Sequence, residues 1–269
     1  MNNSFPIIDI GVNLSNKRFS KDLETVLERA QQSNVEKLIM TGTCLDASQA
    51  VIELSDQYDA AFPDMLYATV GVHPHYADQF SSDSVKTLSQ LATHPKVVAI
   101  GETGLDFNRK FSSTINQVNA FETQLELAAE LQMPLFMHER DAAKRQLEIL
   151  HAYRDHITQG VIHCFTGNRE TLFNYLDLDL HIGVTGWICD ERRGLELQQL
   201  VANIPLDRLM IESDAPYLLP QTVQPPPSGR RNEPCYLPYV LQTISNSRNE
   251  SIEIIAAASR KTTMEFFSL

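Results

Sequence analysis

Eight short apolar segments rich in β-branched residues alternate along the chain with longer segments whose apolar residues are spaced three and four apart. The first pattern predicts buried strands, and the second predicts amphipathic helices. The predicted strands are 7–12, 37–41, 65–70, 97–100, 135–138, 160–163, 181–185 and 208–212. The predicted helices are 21–33, 46–58, 83–92, 114–132, 141–151, 170–176, 192–203, 236–245 and 252–266. Strands buried on both faces and followed by helices indicate a parallel sheet.

The number of strands favours one closed barrel over an open sheet. Eight strand and helix units in about 250 residues are typical of a (β/α)8 TIM barrel. A doubly wound open sheet would be expected to have a glycine-rich fingerprint after its first strand, but the sequence there is DIGVNLSN, with one glycine. We therefore predict an α/β fold, a single TIM-barrel domain over residues 1–269. The proline-rich segment 216–234 follows the last strand, where an active-site lid could lie.

Cysteine usage and charge limit the environment and the partners. The four cysteines, Cys44, Cys164, Cys189 and Cys235, form no CxxC pair, which favours a reduced, cytoplasmic compartment. The chain has no recognisable secretion signal and no apolar run of about 18 residues, so we expect no membrane association. With 22 basic and 34 acidic residues, a net charge of −12 argues against binding nucleic acid over the whole surface. A local basic rim remains compatible with that charge.

Polar residues recur at the carboxyl ends of the predicted strands. In a barrel these ends meet on one face, where TIM-barrel enzymes carry their active sites. The residues at these ends are Asp9, Asn13, Thr41, Thr43, His73, His75, Glu102, His138, His163 and Asp214.

Four of these residues combine the side chains that bind divalent metal ions. Glu102, His138, His163 and Asp214 offer two carboxylates and two imidazoles. A single histidine at a strand end is more often a structural hydrogen-bonding group, but four such side chains on four strands favour a shared metal site. An ion bound there would acidify its water and polarise a phosphoryl or carbonyl oxygen, so the set predicts hydrolysis.

Seven sequence motifs make the chain resemble the TatD family of metal-dependent hydrolases over nearly its whole length. The motifs are GVHPH, AIGETGLDFNR, PLFMHERDA, IHCFTG, GVTGWICDERRG, ESDAPYLLP and SGRRNEP. The resemblance implies an amidohydrolase-like TIM barrel and a 3′ to 5′ exonuclease that hydrolyses single-stranded DNA and RNA. It also implies that Glu102, His138 and His163 are metal ligands. Asp214 would complete the coordination sphere or act as a catalytic base toward the attacking water.

The first strand departs from the pattern of many relatives. Where those relatives carry D-x-H-x-H, this chain has DIGVN, so Gly11 and Asn13 occupy the two histidine positions. Fewer nitrogen ligands favour the harder ion Mg²⁺, with Mn²⁺ or Zn²⁺ as alternatives. Asn13 is expected either to bind through its amide oxygen or to serve as a turn residue.

The motif GVHPH supplies a further candidate for catalysis. Pro74 restricts the backbone between His73 and His75, so the two rings cannot exchange positions. In the family this loop faces the active site. We assign His75 to a phosphate or to the leaving oxygen, as a second catalytic residue, and His73 to a structural role.

Basic side chains near the predicted barrel mouth could hold a nucleic-acid strand. Arg192 with Arg193 follows the seventh strand, and Arg230 with Arg231 lies in the proline-rich segment. We expect these four arginines to bind phosphates, with ion pairs to neighbouring acidic residues as the alternative. Further basic pairs are Arg109 with Lys110 and Lys144 with Arg145. Trp187 and Phe107 could stack on bases or belong to ordinary packing.

Two other functions fit parts of the same sequence. A metal-activated water could instead attack the ester of a D-aminoacyl-tRNA, since some relatives are associated with that deacylation. The altered first strand would also suit a binding or quality-control protein with a weakened site. The expected partner is single-stranded DNA or RNA as substrate, with no obligate protein partner and a monomeric state.

Overall fold

A computed structural model describes residues 4–269, so the first three residues of the predicted domain lie outside it. The strands are β1 Ile7–Val12, β2 Val35–Met40, β3 Leu66–Val70, β4 Val97–Asp106, β5 Leu135–Arg140, β6 Gly160–Ile162, β7 His181–Val184 and β8 Leu209–Ile211. The helices are α1 Leu23–Gln32, α2 Leu45–Tyr58, α3 Ser82–Leu91, α4 Thr114–Leu131, α5 Ala143–Tyr153, α6 Arg169–Asp177, α7 Leu195–Leu200, α8 Leu237–Asn246 and α9 Ile252–Phe267.

The eight strands form one parallel sheet in sequence order, from β1 to β8. The two edges meet just beyond β8, where Val12 forms a parallel bridge with Ala215. The amide of Asp214 donates to the Gly11 carbonyl at 2.9 Å, and the Asn13 amide donates to the Ala215 carbonyl at 2.8 Å. The predicted (β/α)8 barrel is confirmed, and its closure brings Asn13 and Asp214 together.

Two hydrophobic clusters hold the barrel together. The larger one fills the space between the sheet and the surrounding helices. The smaller one lies inside the barrel and gathers side chains from β1 to β6 and β8, including Ile10, Phe136 and Met210. Phe266 and Phe267 of α9 join this inner cluster, so the end of the last helix packs against the barrel interior.

Strand β4 is longer than the sequence predicts. The apolar run ends at Ile100, but the strand continues to Asp106 through the motif GETGLD. Gly101 and Gly104 have φ values of 149° and 133°, and a Cβ at either glycine would collide with a backbone carbonyl of β5. Because these two positions lack side chains, β4 runs close beside β5 and carries Glu102 within the strand.

The segment after β7 also differs from its prediction. A helix was expected from residue 192, but α7 begins at Leu195. The Asp190 carboxylate accepts hydrogen bonds from the amides of Arg192 and Arg193, at 3.0 and 2.9 Å. These bonds fold the two arginines into a turn, and the helix can begin only after it.

The proline-rich segment is fastened to the start of the chain. Arg231 donates to both carboxylate oxygens of Asp22 and to Glu233, and its guanidinium lies over the ring of Phe19. The buried Asn232 side chain donates to the Ser213 carbonyl at 2.8 Å. These contacts hold the segment against the loop between β1 and α1, close to the closure of the barrel.

The structure describes two further features that bear on location. All four cysteines are free. No helix within residues 4–269 combines the length and hydropathy that a membrane span requires.

Candidate active site

A cavity of about 640 Å³ opens at the carboxyl ends of the strands. Every barrel strand except β2 supplies a side chain discussed below, either from the strand itself or from the segment that follows it. Residues that line the cavity include Asn13, His73, His75, Glu102, Asp106, His138, His163, Trp187, Arg193, Asp214 and Tyr217. The predicted metal ligands and both predicted catalytic residues thus share one cavity.

Glu102 lies at the centre of this group. Its Oε1 atom is 3.0 Å from Nε2 of His163, 3.1 Å from Nδ1 of His138 and 3.3 Å from Nε2 of His73. The Glu102 side chain is almost completely buried. One carboxylate oxygen therefore meets three imidazole nitrogens from β6, β5 and the loop after β3.

The opposite side of His163 is held by a second buried carboxylate. Oε2 of Glu212 lies 2.9 Å from Nδ1 of His163, and its Oε1 accepts the amide of Cys164 at 2.5 Å. Glu212 is fully buried and follows β8 directly. A carboxylate on one ring nitrogen fixes the orientation of an imidazole and directs the other nitrogen toward the site.

Gly11 provides the space for that carboxylate. A Cβ placed at Gly11 would fall well inside contact distance of Glu212 Oε2 and 3.2 Å from Cζ of Phe136. The space that a side chain at position 11 would fill is thus occupied by the carboxylate of Glu212. Glycine at position 11 is therefore accompanied by close packing of Glu212 and Phe136 against β1.

The charges of the cluster stabilise one another. Burial by itself would raise the pKa of Glu102, but the imidazoles of His73, His163 and His138 lower that pKa well below its usual range. Burial would lower the pKa of His163, but the carboxylates of Glu212 and Glu102 raise it well above the ordinary value. The imidazoles thus favour the ionised form of Glu102, and the two carboxylates favour the protonated form of His163.

His73 differs from the other imidazoles in its proton affinity. Burial lowers the pKa of His73 to about 4, in spite of the neighbouring carboxylate of Glu102. A neutral imidazole offers a free lone pair, which is the form that binds metal ions.

The donor set fits a divalent metal ion. Ligand atoms of His73, Glu102 and His138 lie within 4.8 Å of one another. Nε2 of His138 is buried, and within residues 4–269 it has no hydrogen-bond partner, although Asp106 Oδ2 lies 3.5 Å away. Imidazole nitrogens and carboxylate oxygens are common ligands of divalent ions, and an unsatisfied buried ring nitrogen is a ready ligand. Metal binding would take the place of the protons that now balance the carboxylates.

Asp214 faces the same cavity from the end of the barrel. Burial raises its pKa to about 7, and the charges of Glu212 and Glu102 act in the same direction against the opposing effect of His163. The side-chain amide of Asn13 donates to Asp214 Oδ1 at 3.1 Å. Asn13 thus positions Asp214, a role that the sequence did not distinguish from metal binding or turn formation.

His75 is paired with Asp106 beside the metal-ligand cluster. Nε2 of His75 lies 2.8 Å from Asp106 Oδ2, and the amides of Asn108 and Arg109 donate to Asp106 Oδ1 at 2.9 and 2.8 Å. The His75 side chain is 27% exposed, so it reaches both the buried carboxylate and the cavity. Its ring is available to a group bound in the cavity.

The predicted phosphate-binding arginines lie in different surroundings. Arg193 lines the cavity, and its guanidinium is held by Asp190 and lies 4.3 Å from the centre of the Trp187 ring. Arg192 and Arg230 are exposed, and the donors of Arg231 are occupied by carboxylates. Within the described residues, the other arginines that line the cavity are Arg109 and Arg140. Trp187 lines the cavity and also packs against the core, whereas Phe107 takes part in core packing.

Some contributors are missing from the sequence-based set of site residues. His73 reaches Glu102 although the sequence suggested a structural role for it, and Glu212 and Asp106 hold His163 and His75. The sequence did contain signals for these residues. His73 belongs to the motif HPH, Asp106 ends GETGLD and Glu212 begins ESDAP. Which of these carboxylates faces a histidine depends on the register and closure of the barrel.

Both the sequence and the fold are similar to those of known proteins. A family model described as "TatD related DNase" matches residues 8–268. The chain is 46% identical over 263 residues to the "3′-5′ ssDNA/RNA exonuclease TatD" of Pantoea ananatis, covering 98% of this chain and 100% of the relative. It is 47% identical to the Citrobacter rodentium protein of the same name, with 98% of each chain covered. The crystal structure of a TatD homolog from Escherichia coli superposes with a TM-score of 0.88 at 29% identity, covering 98% of both chains.

Proposed function

Because the chain belongs to the TatD family, we propose that it is a divalent-metal-dependent exonuclease that removes nucleotides from the 3′ end of single-stranded DNA and RNA. One observation carries the proposal. Three imidazoles converge on Glu102 inside a cavity at the carboxyl end of the barrel, in a chain that matches named exonucleases over almost its full length.

Glu102, His138 and His163 are the proposed metal ligands, with Asp214 beside them and His73 as an additional nitrogen donor. When bound, a divalent ion supplies an acidified water and neutralises charge on the phosphoryl oxygens. Mg²⁺ is the proposed ion, with Mn²⁺ and Zn²⁺ as the alternatives to be compared. Glu212 keeps the His163 ring turned toward Glu102, because its carboxylate accepts a hydrogen bond from Nδ1 of His163.

Two side chains are suited to move the protons of hydrolysis. The carboxyl of Asp214, with a pKa of about 7, can accept a proton from the attacking water near neutral pH. His75 lies beside the ligands, and Asp106 orients its ring. We assign His75 to the leaving oxygen or to a phosphate oxygen, where an imidazole N–H can donate.

Arg109, Arg140 and Arg193 can hold the phosphates of the strand, because all three line the cavity. A guanidinium group presents paired donors that match phosphate oxygens. Asp190 restrains Arg193, so that its guanidinium is already placed before a strand binds. The exposed Arg192 and Arg230 stay predicted phosphate contacts, whereas the pairing of Arg231 with Asp22 and Glu233 favours the ion-pair alternative for that residue.

The test is digestion of a 5′-labelled single-stranded oligonucleotide with Mg²⁺, in parallel with EDTA and with Glu102→Ala, resolved on a sequencing gel. We expect a ladder that shortens from the 3′ end, and a loss of at least about 100-fold in Glu102→Ala, because that substitution removes the anion shared by three histidines. Repeating the digestion with Mn²⁺ and Zn²⁺ identifies the preferred ion.

Glu36→Ala is the matched control, since Glu36 pairs with Arg260 outside the cavity. It should digest the oligonucleotide at the wild-type rate. An intact oligonucleotide with wild-type protein and every metal would contradict the proposal. Release of free D-amino acid from a D-aminoacyl-tRNA, with the tRNA chain left intact, would then establish the deacylase alternative.

We also propose that the chain acts as a monomeric, single-domain enzyme in the cytoplasm, without an obligate protein partner. Two observations support parts of this. One eight-stranded barrel accounts for the strands within residues 4–269, and all four cysteines are free thiols, as suits a reduced compartment. Size-exclusion chromatography with light scattering checks the monomeric state.

A further inference from the structure

Three aromatic side chains are strongly exposed in the part of the chain that the structure describes. Phe111 is 66% exposed, Tyr217 is 51% exposed and Tyr76 is 42% exposed. All three belong to segments that follow the carboxyl end of a strand, namely β4, β8 and β3. A largely exposed aromatic ring contributes less burial energy to the fold than a buried one. Two of these rings line the cavity and the third packs against His75, which lines it, so their grouping points to a binding role.

The three rings lie on two sides of the barrel mouth. Tyr76 and Phe111 follow the neighbouring strands β3 and β4, whereas Tyr217 follows β8. In an eight-stranded barrel β8 is directly across from β4, with β1 to β3 on one side and β5 to β7 on the other. We call the first pair the β3–β4 rim and Tyr217 the β8 rim.

The proposed metal ligands lie between these rims. Tyr76 and Tyr217 line the same cavity as Glu102 and His138. Phe111 contacts His75 edge to face, with 4.8 Å between ring centres, so the β3–β4 rim is continuous with the proposed leaving-group side. Tyr217 is three residues beyond Asp214, and its amide donates to the Asp214 carbonyl at 2.9 Å. A phosphate at the metal site would therefore have an aromatic rim on either side.

Each rim is fixed before any ligand binds. The Tyr217 hydroxyl accepts from the side-chain amide of Asn16 at 3.1 Å. The amide of Tyr76 donates to the His73 carbonyl at 2.9 Å, within the short turn Pro74–Gln79. Side chains with few rotatable bonds on a fixed backbone lose little entropy when a flat ligand packs on them.

The charge around the rims identifies the occupant. The chain as a whole has a net charge of −12, but Arg109, Arg140 and Arg193 line the cavity between the rims. Proteins that bind unpaired nucleic-acid strands combine cations and aromatic rings in one groove. The cations bind the phosphates, and the bases stack on the rings. A purely apolar partner would make no use of these guanidinium groups, of which Arg193 is already held in place by Asp190.

We propose that the β3–β4 rim and the β8 rim are two base-stacking subsites, which hold the nucleobases on either side of the scissile phosphate. This inference rests on the proposed exonuclease function and adds the means by which an unpaired strand is selected. A base in a duplex already has both faces covered by its neighbours, so it must unstack before it can bind either rim. Selection for single strands then follows from stacking alone, without any contact that recognises a particular base.

The test measures stacking separately from cleavage. Oligonucleotides carry the fluorescent base 2-aminopurine at the terminal or the penultimate 3′ position, with phosphorothioate linkages at that end to slow hydrolysis in Mg²⁺. Stacking on an aromatic ring quenches this base. We expect wild-type protein to quench both positions, with Tyr217→Ala abolishing quenching at one position and Tyr76→Ala or Phe111→Ala abolishing it at the other.

Affinity should change in step with quenching. Each alanine variant is expected to bind about tenfold more weakly. An oligonucleotide with an abasic residue at the matching position should bind wild type equally weakly and show no further loss with that variant. Tyr217→Phe should keep the quenching, because the ring remains. Phe173→Ala is the matched control, since Phe173 is a partly exposed ring on α6 beneath Arg169; it should behave as wild type.

The outcomes separate the two proposals. The stacking subsites would be overturned if the rim variants quench 2-aminopurine as strongly as wild type does. They would also be overturned if wild type binds base-containing and abasic strands with equal affinity, even if nucleotides are released. Base-dependent quenching without nucleotide release from an ordinary oligonucleotide would overturn the exonuclease and leave the subsites established as a single-strand binding site.

Discussion

At the scale of single residues, the site depends on one carboxylate that several histidines share. Glu102 takes contacts from His73, His138 and His163, and a second carboxylate, Glu212, holds the far nitrogen of His163. Glu212 can take this position only because Gly11 has no side chain. The absence of a side chain at position 11 of β1 is therefore coupled to the placement of a carboxylate after β8.

Gly11→Ala tests this coupling. The added methyl group would collide with Glu212 Oε2 and press against Phe136, so the carboxylate must leave His163. We expect the free energy of unfolding to fall by about 1–3 kcal/mol, as for other overpacked cores. We also expect weaker metal binding, since His163 loses its orienting partner. Urea denaturation and calorimetric titration with Mn²⁺ measure the two effects; wild-type values in both would show that Glu212 does not depend on Gly11.

At the scale of elements, the ends of the strands decide where the functional groups lie. Strand β4 continues past its apolar run because Gly101 and Gly104 allow close contact with β5, and this continuation carries Glu102 to His138. After β7 the chain turns around Asp190 before α7 begins, and this turn brings Arg193 onto the cavity.

Asp190→Asn tests the turn after β7. Hydrogen bonds from the amides of Arg193 and Arg192 lower the pKa of Asp190 to about 2, below the ordinary value of 3.8. A lowered folded-state pKa contributes stability that is complete above pH 3.8 and is lost as the pH falls toward 2. We expect the variant to be less stable than wild type by about 1 kcal/mol at pH 6, with a smaller difference at pH 3. Urea denaturation at the two pH values measures this, and a difference that grows at pH 3 would contradict it.

At the scale of the whole molecule, an acidic protein must bind a polyanion. The net charge of −12 opposes approach of a nucleic-acid strand, and three arginines at the cavity oppose that repulsion locally. The barrel allows this separation, because it gathers the loops after all strands on one face, where the three arginines lie.

The salt dependence of binding checks this division of charge. Three phosphate contacts to a single strand predict a slope of about −2 for log affinity against log salt, hence about 20-fold weaker binding at 200 mM than at 50 mM salt. Fluorescence anisotropy of a labelled oligonucleotide with phosphorothioate linkages measures the slope. Arg193→Ala should reduce its magnitude by about 0.7. An unchanged slope in that variant would show that Arg193 does not contact a phosphate.

Much of the architecture follows from local sequence. The strand β1 was predicted with its observed bounds, and each of the eight strands and nine helices overlaps its predicted range, with β4 and α7 differing most in their bounds. The motifs at the strand ends were enough to bring Glu102, His138, His163 and Asp214 to one face. These features depend on residues close together in sequence, for which the burial pattern is a sufficient signal.

Contacts across the barrel were decided by the tertiary structure. The pairing of Glu212 with His163, of Asp106 with His75 and of Asn13 with Asp214 joins residues on different strands. The tertiary structure also decided which arginines line the cavity. Arg193 lines it, whereas Arg231 forms ion pairs with Asp22 and Glu233. The sequence by itself determined the barrel and the face on which its chemistry lies, since both arise from periodic burial. Only the closed tertiary structure decided which charge faces which imidazole, because those distances depend on strand register and on how the two edges of the sheet meet.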